Sequence, residues 1–328
     1  MKIIVTGGTG FIGEHLVNKL SKNKKNQILI LSRKKHNPSF YSFSGKKNIS
    51  FKNGIDICNL NQLSKEFKGA DIVFNLAAMV SYNQKDKLKL IKINKLGAIN
   101  VLKACKINNV SKLIHLSSSA AFGFPKKIIT ENTEFNWSKH KKCVYSYSKF
   151  LAENILLNDS MNVIVVNPPM VIGPGDKKIF KLIEPIYKGK MSVSTSGRNS
   201  FIDVRDLSES MVFLMKKKLD NQKFLVIGGN YSIKEFNSII ASQLGVKKPR
   251  YIIPKILGPI IWNLVYLYEL IAKNPKINYE NMVLAFKDRI HDDSKIRKLG
   301  FSTKYSAEES IKDTLEFYKK EKYTHVKL

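Results

Sequence analysis

The run Thr6-Gly7-Gly8-Thr9-Gly10-Phe11-Ile12-Gly13 starts where the apolar segment Lys2-Ile3-Ile4-Val5 stops, and nothing else in the chain restricts its folding as strongly. Phe11 to Leu20 then has the spacing of a helix, so the glycines lie in a strand–turn–helix context. In that context each glycine has its own task. The first permits the tight turn, the second lets backbone approach a pyrophosphate, and the third lets the helix pack closely. The helix N-terminus adds free N–H groups and ~+0.5 charge. The segment reads as a dinucleotide-binding turn, with Gly7, Thr9, Gly10, Phe11, Ile12 and Gly13 as cofactor contacts; the alternative is a purely structural βα turn.

Short Ile- and Val-rich runs recur through the first half, as expected for parallel strands covered on both faces. The expected strands are Lys2 to Val5, Gln27 to Leu31, Ile49 to Lys52, Ile72 to Leu76, Lys112 to Leu116 and Asn162 to Val166. Helices fit between most of them, among them Leu88 to Lys106 and Tyr145 to Leu157. This predicts an α/β fold, a doubly wound parallel Rossmann sheet, with a smaller, mostly helical C-terminal substrate domain. The chain is expected to cross between the two. Residues 1–170 and about 200–230 would form the dinucleotide-binding domain, and 171–199 with about 231–328 the substrate-binding domain.

Three cysteines, Cys58, Cys105 and Cys143, are odd in number and far apart, which argues against a disulfide framework or a structural zinc site and for a reducing, cytoplasmic setting; no metal is expected. The net charge of +30 invites a nucleic-acid partner. Only six of the 56 basic residues are arginine, however, and the lysines are scattered without interleaved aromatics. A solvated lysine coat is expected, with no nucleic-acid binding but some attraction for anionic ligands. The first residues already read as a strand, which leaves no room for a signal peptide. Ile256 to Ala272 is the one membrane-like stretch, but Pro259, Asn263 and Glu269 interrupt it and it is short for a span. Membrane contact is not expected; a greasy ligand or a homodimer contact around Trp262 both remain open.

At the end of the second strand an acid would hold the ribose of NAD, but Leu31-Ser32-Arg33-Lys34-Lys35 supplies a hydroxyl and three cations. NADP(H) is therefore expected in preference to NAD(H), with Ser32 and Arg33 as contacts, unless those cations belong to the general coat. Tyr145 and Lys149 lie one helical turn apart on one face, where an ammonium would favour a phenolate and so assist proton transfer. A second Tyr-x-x-x-Lys, Tyr318 and Lys322, lacks the serines that follow a strand at Ser117-Ser118-Ser119.

Together these segments resemble an extended short-chain dehydrogenase/reductase, the NAD-dependent epimerase/dehydratase type. TGGTGFIG at 6–13, NLAA at 75–78, NKLG at 94–97, SSSAAFG at 117–123, YSYSK at 145–149, PPMVIGPG at 168–175, FIDVRDL at 201–207 and DDSKIRKLGF at 292–301 carry the likeness along the whole chain. Within that family it looks closest to the dihydroflavonol 4-reductase-like branch. The resemblance implies Tyr145 as general acid/base, Lys149 as its electrostatic helper and ribose ligand, and Ser118 polarising the substrate carbonyl, with Ser117 and Ser119 as fallbacks. It further implies cofactor contacts from Asp56, Ile57, Leu76, Ala77, Ala78, Pro168, Met170 and Val171, and substrate contacts from Ser119, Ala120, Tyr145 and Arg198. Asn94 is either part of a water relay or a helix-packing asparagine. The expected activity is NADPH-dependent reduction of a ketone. The alternative is a nucleotide-sugar 4-epimerase or keto-sugar reductase, and a nonenzymatic NADP sensor stands third because it would need no active tyrosine.

Overall fold

The protein is described by a computed structural model covering residues 1–189 and 191–320. Its strands are β1 (Lys2–Thr6), β2 (Gln27–Ser32), β3 (Ile49–Asn53), β4 (Ile72–Asn75), β5 (Lys112–Leu116), β6 (Val163–Asn167), β7 (Met170–Ile172), β8 (Val193–Thr195), β9 (Arg198–Asp203), β10 (Gln222–Leu225), β11 (Gly229–Ser232) and β12 (Tyr251–Ile253). The helices are α1 (Phe11–Ser21), α2 (Leu60–Glu66), α3 (Lys87–Leu90), α4 (Gly97–Ile107), α5 (Val144–Leu157), α6 (Phe180–Tyr187), α7 (Val204–Lys216), α8 (Ile233–Leu244), α9 (Gly258–Ile271), α10 (Tyr279–Phe286), α11 (Ser294–Lys298) and α12 (Ala307–Lys320).

Seven parallel strands form the main sheet in the order β10-β6-β5-β4-β1-β2-β3. The apolar runs form strands because alternate residues are buried on opposite faces. Ile3 and Val5 pack with Leu16, Val17 and Leu20 of α1 and Leu207 and Met211 of α7. Ile4 faces the other way, among Leu63 of α2, Val101 of α4 and Leu156 of α5. β6 repeats the pattern, Ile164 and Val166 on the first face and Val163 and Val165 on the second. Each such side chain contributes roughly 1.5–3 kcal/mol through burial, so the runs can tolerate little polarity.

A second layer of structure flanks this sheet. β7 pairs parallel with β9, β9 pairs antiparallel with β11, and β8 pairs with β12. Ile172, Ile183, Phe201, Phe236, Ile240 and Ile311 fill the core of this smaller, largely helical region. The tail, expected to be mostly helical, also contains β11 and β12; Gly229-Asn230-Tyr231-Ser232 is half-buried throughout and shows no apolar alternation to announce a strand. In α9 only Gly258, Val265 and Glu269 are buried, whereas Ile260, Leu264, Leu267 and Ile271 are exposed. Among the described residues no helix is long and apolar enough to cross a membrane.

The expected helix Leu88 to Lys106 is broken into α3, a π-helical stretch Ile91–Leu96, and α4. A π turn widens the helix by one residue and often marks a functional position; here it carries Asn94.

The turn after β1 depends on two glycines. Gly7 has φ +71°, and Gly13 sits so close beneath it that a Cβ there would lie 2.2 Å from the Gly7 carbonyl oxygen. Backbone cannot yield to that overlap as a flexible side chain would. Gly13→Ala is expected to destabilise the protein by about 1–3 kcal/mol, measured as a lowered urea midpoint with unchanged slope.

Candidate active site

β1, β4 and β5 end side by side, and a chain of buried hydrogen bonds ties their carboxyl ends together. The Thr6 hydroxyl donates to Asn75 Oδ1 at 2.7 Å and accepts from the Ala77 N–H at 3.3 Å, while Asn75 Nδ2 lies 3.0 Å from His115 Nδ1. Complete burial holds His115 well below its ordinary pKa, and the neighbouring Lys149 adds to the effect. The imidazole is thus neutral, with Nδ1 as acceptor from the asparagine amide.

Above these ends the Gly7–Gly13 turn opens α1. Gly10 is its N-cap and has no side chain to offer, so the first N–H groups of the helix receive no side-chain acceptor from that position. A Cβ at Gly10 would meet only the Gly7 carbonyl, at 3.4 Å. An open backbone cradle at a helix N-terminus fits a dinucleotide pyrophosphate. Phe11 packs edge-on to His15, whose Nε2 is 2.9 Å from the Pro174 carbonyl, so the loop after β7 borders the cradle. Leu76 and Ala77 line the β4 side, partly buried, with Ala78 exposed beyond them.

Tyr145 and Lys149 lie in the first turns of α5, both buried. The Tyr145 hydroxyl lies beside Ser118, which caps the 3-10 turn Ser119–Phe122 after β5 by accepting from the Ala120 N–H at 3.2 Å. Burial pushes the phenol up to about 12, against the lowering effect of Ser118, and the Glu280 charge adds to the rise. Without a bound ligand Tyr145 is therefore a protonated acid. Burial pushes Lys149 down to about 8, partly offset by Glu153, and its ammonium donates to the Leu116 carbonyl at 2.8 Å. Of the three strand-end serines, Ser117 donates to Glu153 at 2.9 Å and Ser119 faces Arg289, leaving Ser118 beside the phenol. Tyr82 closes one side, its ring 5.3 Å from that of Tyr145, with Met79 and Leu90 in the same apolar cluster.

Several groups that hold this arrangement escape a reading of the sequence. Glu280 of α10 accepts from the N–H groups of Tyr145 and Ser146, both at 2.9 Å, and from the Ser146 hydroxyl. Arg289 donates to the Gly123 and Ser119 carbonyls, the latter at 2.6 Å. Glu269 of α9 accepts from the N–H groups of Gln84 and Tyr279. Only Glu269 left a signal, as a lone acid within an apolar run; contacts spanning 134 to 170 residues leave none. Asn94 accepts from the Met79 N–H and donates to the Met79 carbonyl and to Ser148 Oγ, which in turn donates to the Tyr145 carbonyl. The asparagine clamps the loop after β4 onto α5.

The remaining expected contacts have these surroundings. The Asp56 carboxylate accepts from the Cys58 N–H within its own turn, and Ile57 is buried beneath Gly97. Pro168 accepts from the Ser119 N–H, while Met170 is exposed and Val171 packs on the main core. Ala120 packs with Tyr145, as expected of a residue at the site. Arg198 lines a groove with Tyr231, Lys234, Glu235 and Glu308. Lys322, of the second Tyr-x-x-x-Lys, lies outside the described residues. Among the described residues no group of three His, Cys, Asp or Glu side chains could hold a metal ion.

Comparison with known proteins bears on this geometry. A family model described as the NAD dependent epimerase/dehydratase family matches residues 3–228. A curated "Putative dihydroflavonol 4-reductase" of Synechocystis is 23% identical over 97% of this chain and 95% of its own. Among solved structures, the Bordetella bronchiseptica enzyme WbmG in complex with NAD superposes with TM-score 0.76 at 19% identity, over 98% of this chain and 94% of that one. UDP-glucuronic acid 4-epimerase of Bacillus cereus, in complex with NAD, gives 0.75 at 20% identity, covering 98% and 99%. These likenesses establish the fold.

The expected preference for NADP(H) is overturned: these solved neighbours are complexes with NAD. The physical reason lies at the end of β2. The Ser32 hydroxyl donates to the Lys34 carbonyl at 2.9 Å, closing its own turn, and Arg33, Lys34 and Lys35 stand exposed as part of the lysine coat.

The buried ammonium has a measurable consequence. With Lys149 near 8 in the folded chain and about 10.5 in the unfolded one, the unfolded chain binds more protons between those values, so this group makes stability rise with pH there. Lys149→Met removes that slope. Its stability advantage over the unaltered protein should shrink between pH 7 and pH 10 by up to ~3 kcal/mol, at ~1.4 kcal/mol per unit, in paired urea titrations.

Proposed function

The chain belongs to the NAD dependent epimerase/dehydratase family, and from that premise we propose that it carries out NAD-linked oxidation and reduction at a secondary carbinol of a nucleotide sugar, as a 4-epimerase or keto-sugar reductase. The observation that carries this reading is the buried Tyr145 beside Ser118, with Lys149 one turn on, near an open glycine cradle. Residues 1–170 with about 200–230 would hold the cofactor, and the remainder the substrate.

When bound, NAD supplies a hydride acceptor and donor, and Gly7, Gly10 and Gly13 would hold its pyrophosphate through backbone. The chain's own residues handle the proton. Tyr145 takes it from the carbinol as the ketone forms and returns it as the carbinol is restored. The Lys149 ammonium favours the phenolate that exists between those events, which the unliganded site resists through burial. Ser118 donates a hydrogen bond to the carbonyl oxygen as it gains charge. With NADP(H) excluded as the preferred cofactor, a redox-neutral cycle that regenerates its own cofactor gains over a reductase drawing on the NADPH pool. The +30 charge suits a diphosphate-bearing substrate.

A second reading, reduction of an apolar ketone as in a dihydroflavonol 4-reductase, draws on the full-length curated relative and on the Tyr82, Met79 and Leu90 wall beside Tyr145. The two readings diverge in a simple assay. UDP-glucose with NAD should give UDP-galactose, followed by proton NMR, without net NADH; the second reading instead requires steady NADH oxidation by a dihydroflavonol. Under either, Tyr145→Phe should lose about 10²–10⁴-fold in rate while retaining NAD binding by calorimetry. Turnover by that variant at the normal rate would refute the proton-transfer role.

A further inference from the structure

Helix α5 carries both Tyr145 and Lys149, yet it lacks an N-cap of its own. Its N-cap position is Cys143, which makes no side-chain hydrogen bond. The second and third N–H groups of a helix ordinarily receive an Asp, Asn, Ser or Thr oxygen from that position. Here both groups, those of Tyr145 and Ser146, donate at 2.9 Å to the two carboxylate oxygens of Glu280, and the Ser146 hydroxyl donates to one of them as well. The cap thus comes from α10, more than 130 residues further along the chain. Glu280 is fully buried and its carboxylate meets the positive end of the helix, where an anion is favoured.

The same region holds the other half of the catalytic pair. Ser118 sits at the start of the Ser119–Phe122 turn, and the buried Arg289 grips that turn through the Ser119 and Gly123 carbonyls. Glu269 of α9 in turn fixes the start of α10 through the Tyr279 N–H at 2.9 Å, and the loop carrying Tyr82 through the Gln84 N–H at 2.7 Å. The N–H of Tyr145 is therefore held from the α9–α10 side, while its carbonyl accepts from Ser148 within α5.

We propose that Glu280 is a positioning residue for the reaction: as the N-cap supplied in trans to α5, it sets the place of the Tyr145 hydroxyl against Ser118, with Glu269 and Arg289 fixing the surrounding elements. This rests on Tyr145 acting as acid/base, and the test separates the two ideas. Glu280→Gln keeps the shape but puts an amide N–H₂ where N–H donors converge, leaving at least one unpaired; Glu280→Asp keeps the charge on a shorter arm.

Three readouts are compared in the full chain. Hydrogen exchange at the Tyr145 and Ser146 amides should quicken in Glu280→Gln while β1 and β5 stay protected. NAD affinity should stay within about twofold, because the Gly7–Gly13 cradle does not touch α10. Turnover of UDP-glucose should fall on the order of 100-fold in kcat with KM little changed, the size expected of an ~1 Å misplacement, and Glu280→Asp should recover part of it. The inference is overturned if Glu280→Gln leaves exchange at 145–146 unchanged, or if it loosens the whole sheet and NAD binding together, which would mean a general folding role. It is equally overturned if kcat is untouched while Tyr145→Phe abolishes it. If UDP-glucose is not turned over by the unaltered protein, it is the functional reading that fails, and the exchange and NAD measurements still decide the role of Glu280.

Discussion

Between β1 and β4 the order of the sheet reverses, and the crevice left at their carboxyl ends is the constraint from which the remaining architecture follows. Strands that leave this point run outward on either side, so their following turns diverge and leave room for a ligand. The hydrogen bonds from Thr6 to Asn75 to His115 hold three strand ends in one register, and the glycine turn lies immediately above them. Loosening that register would separate the cradle on β1 from the serine after β5.

The polar groups around Tyr145 are costly to bury. Lys149, Glu153, Glu280 and Arg289 are all nearly inaccessible to water, and burial shifts Lys149 and Arg289 down and Glu280 up from their ordinary values. Apolar replacements of similar volume often stabilise a fold more than buried charges do. What these four residues provide is direction: each is bonded to backbone or to the polar side chains next to Ser118 and Tyr145. Glu153, for example, gathers Ser117 at 2.9 Å and Asn167 at 2.6 Å, and Asn167 also donates to the Ser118 carbonyl. The site is thus set by a connected shell with few degrees of freedom, as pre-organised proton transfer requires.

What could be read from the sequence follows the range of the interactions. The buried strands announced themselves because both faces of β1 and β6 are apolar, and the glycine turn because Gly13 packs on Gly7 within the turn itself, although Gly7 in turn lies against Leu76 and Ala77. Tyr145 and Lys149 could be paired because one helical turn separates them, and the choice of Ser118 among three serines came from the family likeness. Cofactor preference failed because Arg33 and Lys34 are chemically suited to a phosphate but exposed, and because the Ser32 hydroxyl bonds within its own turn. Arg198 shows the range of contacts at work: the groove it lines takes residues from α8 and α12, far along the chain. The π-helical widening at Ile91–Leu96 falls within a stretch that the sequence reads as one continuous helix from Leu88 to Lys106.

The distribution of contacts also bears on how the two regions work together. The cradle draws its groups from the first 80 residues, whereas the surroundings of Tyr145 draw on Gln84, Ser119, Glu269, Glu280 and Arg289. The glycine turn and the backbone around Tyr145 are therefore held largely by different parts of the chain. A ligand that contacts α9 or α10 would act on the tyrosine through Glu269 and Glu280 without touching the cradle, since those carboxylates bond directly to the backbone at the start of α10 and of α5.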